Sequence, residues 1–105
     1  MGVKSQGADE QRFQIIPRVL IFMTNANGEV LLLKGAAEKK IWPGLWNGVG
    51  GHVEAGESII DAGKSELLEE TGLRCKKWLF CGNVLVELGS GTGVGVFVFR
   101  GCLPE

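Results

Sequence analysis

The sequence lacks an excess of charge of either sign. Its 105 residues carry 11 basic and 12 acidic side chains, which leaves a net charge of −1 at pH 7. A protein that holds a nucleic-acid duplex needs a basic surface to neutralise the phosphates. The near-neutral balance therefore argues against a duplex-binding module.

Cysteines and long apolar segments are also scarce. The three cysteines, Cys75, Cys81 and Cys102, are odd in number and widely spaced, so they match neither a disulfide framework nor a zinc site. No apolar run approaches the roughly 20 residues of a membrane-spanning helix, and the first twelve or so residues lack the apolar stretch of a signal peptide. These absences predict a soluble protein in a reduced, cytoplasmic setting, with no membrane partner.

The chain is nevertheless apolar enough for one core, since 45% of its residues are hydrophobic. We expect residues 1–12 to form a flexible leader and residues 13–105 to form a single domain. Residues 13–23 are rich in β-branched and apolar side chains and predict a strand, in which Pro17 indicates an edge position or a bulge. The Asn27-Gly28 dipeptide then predicts a hairpin that returns into a second strand over residues 30–33.

The middle of the chain is dense in glycine. Residues 35–44 predict a loop, and residues 45–53 can form a strand only where a neighbour approaches the backbone closely, because Gly48, Gly50 and Gly51 fall within it. Further along, residues 78–88 and 94–99 predict a hairpin joined by a glycine-rich turn over residues 89–93.

A helix is predicted between these two regions, over residues 59–71. Ser58 is a suitable N-cap with Asp61 three residues later, and Gly72 is a natural residue to end the helix. Gly63 in the helix interior costs about 1 kcal/mol relative to Ala, so packing or function has to justify it.

Three acidic side chains recur on this helix at positions that are neighbours on its surface. Glu66 is three and four residues from Glu69 and Glu70. Like charges at that spacing repel, whereas Mg²⁺ or Mn²⁺ would make them favourable, because both ions prefer hard oxygen ligands. An acidic helical face is most often only solvated surface. The residues around the three glutamates decide between a metal site and a solvated surface.

The stretch from Gly51 to Leu73 resembles the Nudix box, G-x5-E-x7-R-E-U-x-E-E-x-G-U with U apolar. It matches at every defined position except Ser65, which stands where the family has arginine. The resemblance implies an α/β fold in which helices pack a mixed β-sheet as an α/β/α sandwich. It also implies an enzyme that uses Mg²⁺ (or Mn²⁺) to cleave diphosphate linkages in nucleotides.

The family's residue roles carry over position by position. The resemblance makes Glu66, Glu69 and Glu70 the metal ligands, together with the carbonyl of Gly50, and it makes Glu66 or Glu69 the general base. The positions it implies to be structural are Gly51, Glu57 and Gly72. Because that arginine orients the box glutamates by an ion pair, Ser65 puts full catalytic competence in question and leaves Glu57 less tightly held.

The residues before the box narrow the substrate. Trp46-Asn47-Gly48 with Gly50-Gly51 resembles the W-N-G-x-G-G stretch of MutT-like members that hydrolyse oxidised purine nucleoside triphosphates. It implies that Asn47 reads a base edge, since an amide offers a donor and an acceptor together. Trp46 is either a core aromatic or a base-stacking residue, and Lys34 is either a phosphate contact or a solvated lysine. His52, without an identifiable partner, is interpreted as structural.

Members of the family normally continue for about thirty residues beyond this point, through a strand and a second helix. Without that helix one apolar face of the sheet would be uncovered, so something has to occupy it. The chain is then a truncated piece, a natural fragment, or a protein whose missing layer comes from a partner subunit, such as a homo-oligomer. A further glutamate near the metals often lies in that later segment, and Glu105 is a poor substitute for it.

Three functions remain open from the sequence. The leading one is hydrolysis of a nucleoside triphosphate, such as an oxidised purine deoxynucleotide, to the monophosphate and pyrophosphate. The second is hydrolysis of another nucleoside diphosphate derivative, such as ADP-ribose or a dinucleoside polyphosphate. The third is a catalytically impaired nucleotide-binding module, which Ser65 and the short C-terminal part favour.

Overall fold

The computed structural model describes residues 12–34 and 46–103, with the side chain of Trp46 excepted. Most of the predicted leader, the predicted loop over residues 35–44 and Glu105 lie outside the described residues. In chain order the elements are β1 (Gln14–Thr24), β2 (Val30–Leu31), β3 (Leu33–Lys34), β4 (Trp46–Asn47), β5 (Val49–His52), α1 (Ile59–Thr71), β6 (Lys77–Gly89) and β7 (Thr92–Cys102).

The main sheet is mixed. β7 runs parallel to β1 along the whole length of both strands and antiparallel to β6, while β2 and β5 pair antiparallel with the other side of β1. β3 and β4 form a separate two-stranded sheet. The strands predicted over residues 30–33 and 45–53 are each divided in two, at Leu32 and at Gly48.

Helix α1 packs against one face of the main sheet. Its bounds agree with the prediction, because the capping signals are local. The Ser58 hydroxyl accepts the Asp61 N–H at 3.1 Å, and Gly72 adopts φ 75° with its N–H donated to the Leu68 carbonyl. The buried core consists of strand residues Val19, Ile21, Met23, Val49 and Phe99 with helix residues Ala62 and Leu67. The predicted mixed sheet with a packed helix is therefore confirmed.

Pro17 is not on an edge strand, which differs from the prediction. β1 is central, with β7 on one side and β5 on the other. The Pro17 carbonyl accepts the Val53 N–H at 3.2 Å, so the missing Pro17 N–H faces the side on which β5 has ended at His52. The proline thus removes no hydrogen bond from the long β1–β7 ladder.

The turn between β6 and β7 is tighter than the five-residue turn predicted from glycine content. Pairing extends to Gly89 and Thr92, and only Ser90 and Gly91 form the turn, with φ 58° and 75°. Positive φ at both central residues matches the right-handed twist of a hairpin. Most of the glycine-rich segment therefore belongs to the paired strands, and it does not form a loose turn.

The sheet face away from α1 is apolar and largely exposed within the described residues. Ile16 and Val86 both pair with Val94 and are 53% and 46% exposed. Residues 12–34 and 46–103 contain one helix, α1, and it covers the opposite face. In these ranges no helix is long and apolar enough to cross a lipid bilayer.

Candidate functional site

The site is built around Glu66, which α1 directs at β5. The half-buried Glu66 carboxylate lies against Gly51, so closely that a Cβ added at Gly51 would lie 2.6 Å from Oε1. Real Cβ atoms essentially never come within 3.0 Å of another heavy atom in such a contact. Glycine at position 51 is therefore required for Glu66 to occupy this place.

Glu66 lies in an unfavourable electrostatic environment. Burial, a hydrogen bond with Glu70, and the charges of Glu70, Glu69 and Glu57 raise its pKa from 4.5 to about 7. Desolvation is the largest of these causes, and each of them penalises the ionised form. A cation at this carboxylate would remove that penalty, because it favours the charged state.

The three predicted metal ligands do not form a closed cage. Glu69 and Glu70 are exposed, and across residues 12–34 and 46–103 no three acidic, His or Cys side chains are arranged so as to hold a metal ion. The assignment of Glu66, Glu69 and Glu70 as metal ligands therefore stays a prediction. Within this set, Glu70 is in hydrogen-bonding contact with Glu66, and the charge of Glu69 also acts on Glu66.

An open set of carboxylates still fits Mg²⁺ or Mn²⁺. Magnesium is usually bound by one or two carboxylates and takes its remaining ligands from water and substrate phosphates. Glu66 with Glu70 supplies hard oxygens in hydrogen-bonding contact, and Glu69 lies close enough to act on Glu66 through its charge. The donor chemistry therefore suits a hard divalent cation shared with a phosphate-bearing ligand.

Glu57 closes the turn that leads into α1. Its Oε1 accepts the Glu54 N–H at 2.9 Å, and its own N–H is donated to the Glu54 carbonyl at 3.1 Å. Gly56 inside this turn has φ 84°, which favours glycine. Glu57 is therefore held by backbone contacts, although position 65 has serine in place of the arginine that would pair with the glutamates.

The predicted substrate residues lie on the smaller sheet, where Asn47 and Lys34 occupy neighbouring register positions and so point to opposite faces. Strands β3 and β4 pair Leu33 with Asn47 and Lys34 with Trp46. Asn47 is half-buried, and its Oδ1 accepts the Gly48 N–H at 2.8 Å, while Lys34 is exposed. The structure does not describe the Trp46 side chain, so its predicted role lies outside the described residues.

Gly48 and Gly50 allow β1 to lie close to the strands before the box. A Cβ at Gly48 would lie 2.6 Å from the Ile21 carbonyl oxygen, and one at Gly50 would lie 3.0 Å from that of Val19. The predicted close approach of a neighbouring backbone is confirmed, and the neighbour is β1.

Sequence reasoning missed the partner of His52. Arg18 pairs with His52 across β1 and β5, and its Nη1 lies 3.2 Å from His52 Nε2, one residue beyond Gly51. The two residues are far apart in sequence, and only the strand register brings them together. No local signal in the sequence could have revealed this contact.

The chain is similar in sequence to known proteins. A family model for the NUDIX domain matches residues 15–101. An oxidized purine nucleoside triphosphate hydrolase from Danio rerio is 40% identical over 74 residues, which cover 70% of this chain and 46% of that protein. An m7GpppN-mRNA hydrolase from the same species, NUDT17, is 40% identical over 67 residues, which cover 64% of this chain and 22% of that protein. The chain thus spans less than half of the length of either relative.

The fold likeness extends over almost the whole chain. The crystal structure of a MutT protein from Methanosarcina mazei Go1 has a TM-score of 0.74 and 28% identity, and the match covers 92% of this chain and 70% of that one. A NUDIX hydrolase from Nitrosomonas europaea has a TM-score of 0.68 at the same identity and covers 87% of this chain and 60% of that one.

Proposed function

The chain belongs to the NUDIX domain family, and we propose that it is a hydrolase that uses Mg²⁺ or Mn²⁺ to cleave a nucleoside triphosphate to the monophosphate and pyrophosphate. In its narrowest form the substrate is an oxidised purine deoxynucleotide. The observation that carries the proposal is the Glu66 carboxylate, which is held against Gly51 among three other glutamates.

Glu66, Glu69, Glu70 and the carbonyl of Gly50 would hold the cation. When bound, it polarises water for attack on phosphorus and neutralises charge on the diphosphate. Glu66 or Glu69 would accept the proton from the attacking water. The raised pKa of Glu66, about 7, supports this assignment, because a bound cation would offset the penalty on the ionised carboxylate.

Asn47 and Lys34 would orient the substrate. Because Asn47 Oδ1 already accepts the Gly48 N–H, its amide nitrogen is left to donate, which suits an acceptor on the edge of a base. Lys34 on the neighbouring strand is exposed and would bind phosphate. Substrate choice would thus depend on the smaller sheet, while the box supplies chemistry common to many diphosphates.

A second candidate is hydrolysis of another nucleoside diphosphate derivative, such as ADP-ribose or a dinucleoside polyphosphate. The similarity to an m7GpppN-mRNA hydrolase favours this candidate, because a cap also joins two nucleosides through phosphates. The third candidate is a nucleotide-binding module with impaired turnover, which serine at position 65 favours.

A substrate panel separates these candidates. The purified chain is incubated with Mg²⁺ and dGTP, its 8-oxo form, ADP-ribose or diadenosine tetraphosphate, and the products are resolved by chromatography. Release of pyrophosphate from a triphosphate supports the leading candidate, whereas turnover of the other two compounds alone rejects it in favour of the second. Nucleotide binding by calorimetry without turnover of any compound would establish the third.

The proposal extends to the cellular compartment and the oligomeric state. A reduced, cytoplasmic setting is supported by the three free cysteines. A homo-oligomer could cover the exposed apolar face of the sheet, and size-exclusion chromatography with light scattering tests this. A stable, strictly monomeric chain would reject coverage by a second copy.

A further inference from the structure

A cavity of about 810 Å³ lies beside the C-terminal half of α1, where the helix meets the start of β6 and the end of β7. Lys64 and Leu68 line it. Each is two residues from Glu66, which corresponds to about 200° around a helix. The cavity is therefore on the flank of α1 opposite the acidic site.

The inner wall of the cavity is apolar. Leu67, Leu73, Trp78 and Leu103 line it together with Leu68, which is 39% exposed. Cys75 also lines the cavity, and burial is the main cause that raises the pKa of its thiol. The cavity therefore places an apolar surface within reach of solvent and of a ligand.

The rim of the cavity is positively charged. Lys64, Arg74, Lys76 and Lys77 line it, and none of the lining residues in the described part of the chain is acidic. All four side chains are exposed. Four like charges around an apolar concave surface attract anions and leave cations without a partner.

The cavity walls are fixed by local contacts. The Trp78 indole N–H is donated to the Cys75 carbonyl at 3.1 Å, and the ring packs edge-on against Phe99 with centroids 6.1 Å apart. At the end of α1, the Thr71 hydroxyl is donated to the Leu67 carbonyl and accepts the Leu73 N–H. These bonds turn the chain back so that Leu73 lines the cavity that a ligand would enter.

From these features we propose that this cavity is a second binding site, separate from the acidic site, for an amphipathic organic anion. The ligand would place an apolar tail against the leucines and Trp78 and a carboxylate or phosphate among the basic side chains of the rim. The volume falls in the usual range of small-molecule sites, about 300–1,000 Å³. A single-stranded RNA fits less well, because stacking of bases needs free aromatic faces and Trp78 is half-buried against Phe99.

Titration with sodium decanoate, below its micelle concentration, tests the site on the whole chain. The readout is the NMR signal of the Trp78 indole N–H, with calorimetry for the dissociation constant. We expect saturable binding that shifts this signal and is at least about tenfold tighter than that of decanol, which has the same tail and no charge. Shifts confined to Val84 and Val86, on the other sheet face, would overturn the proposal.

Variants test where decanoate binds and separate the contribution of the apolar wall from that of the basic rim. Leu68→Asp should weaken decanoate binding at least about tenfold, whereas Leu88→Asp, on the exposed end of β6, should leave it within about twofold. Because Leu68→Asp could also disturb α1, a Lys76→Glu/Lys77→Glu double variant at exposed positions is measured beside it. We expect it to reduce the preference for decanoate over decanol to about onefold.

Unchanged decanoate affinity in both cavity variants would reject the site. Perturbation of Trp78 by a ten-nucleotide RNA, and not by decanoate, would reject the proposed ligand class. Because the readouts need neither metal nor nucleotide, failure of the hydrolase proposal would leave this result unaffected.

Discussion

Gly51 and Glu66 occupy adjoining space in which there is no room for a methyl group. A Cβ at Gly51 would lie 2.6 Å from Glu66 Oε1 and closer still to Oε2 and Cδ. Gly51, the first position of the box, is therefore sterically coupled to Glu66, although the two residues lie on separate elements, β5 and α1.

Gly51→Ala should displace the Glu66 carboxylate and lower kcat/KM for the Mg²⁺-dependent reaction by on the order of a hundredfold, the effect of misplacing a reacting group by about 1 Å. The measurement is steady-state kinetics on the best substrate of the panel. Gly63→Ala is the matched control, because it makes the same substitution without touching Glu66. Equal activity in the two variants would contradict the steric coupling.

The same control variant carries its own prediction. Gly63 lies in the interior of α1, and a Cβ there would lie 3.5 Å from the Trp78 ring and 3.7 Å from Ile21, which are ordinary contact distances. Space therefore does not require glycine at this position. Gly63→Ala should raise the free energy of unfolding by about 1 kcal/mol, the difference in helix propensity. Urea unfolding measures it, and a lower midpoint would show that Trp78 cannot adjust.

Glu69→Gln should abolish turnover and leave the fold intact, because it removes a ligand charge with little change in volume. Glu69 is exposed, so its replacement disturbs no packing. The assays are product release with Mg²⁺ and thermal unfolding, with Glu87→Gln on β6 as a control of equal chemistry. Retained activity in Glu69→Gln would exclude Glu69 from the cation site.

The stability of the metal-free protein should fall as the pH rises from 4.5 through about 7. Because the folded state raises the pKa of Glu66 to about 7, it binds more protons than the unfolded state does in this window. The midpoint of thermal unfolding in EDTA is measured from pH 5 to 8 for the wild type and Glu66→Gln. The midpoint of Glu66→Gln should fall less steeply with pH than that of the wild type. Equal slopes in the two proteins would contradict the raised pKa of Glu66.

Magnesium should reverse the effect at the upper end of this window. Above pH 7 the ionised Glu66 carboxylate is available as a ligand, so added Mg²⁺ should raise the midpoint of the wild type. The increase should be smaller in Glu66→Gln. An equal increase in both proteins would place the stabilising cation elsewhere.

Elements that depend on neighbouring residues could be predicted from the sequence. The bounds of α1 follow from Ser58 and Gly72, which act on the backbone within one turn. The first hairpin follows from the Asn27-Gly28 dipeptide, in which Gly28 adopts φ 80°, and Asn25 Oδ1 closes it by accepting the N–H groups of Asn27 and Glu29. Local hydrogen bonds of this kind leave a signature that a single sequence carries.

Features that depend on strand register could not be predicted. β1 is central because it pairs with β7, which is distant from it in sequence. The same register explains why Pro17 removes no hydrogen bond from the β1–β7 ladder. The contact of Arg18 with His52 has the same origin. The burial of Glu66, which is the main cause of its raised pKa, also depends on how α1 packs on the sheet, and helical spacing does not reveal it.

The parallel pairing of β1 with β7 has a consequence for synthesis on the ribosome. β1 leaves the exit tunnel before β7, its longest partner, because β7 follows all the other described elements in the chain. Until β7 emerges, one side of β1 is unpaired, since loop closure between distant segments has to await both of them. Chaperones that bind exposed strands therefore have their best opportunity during this interval.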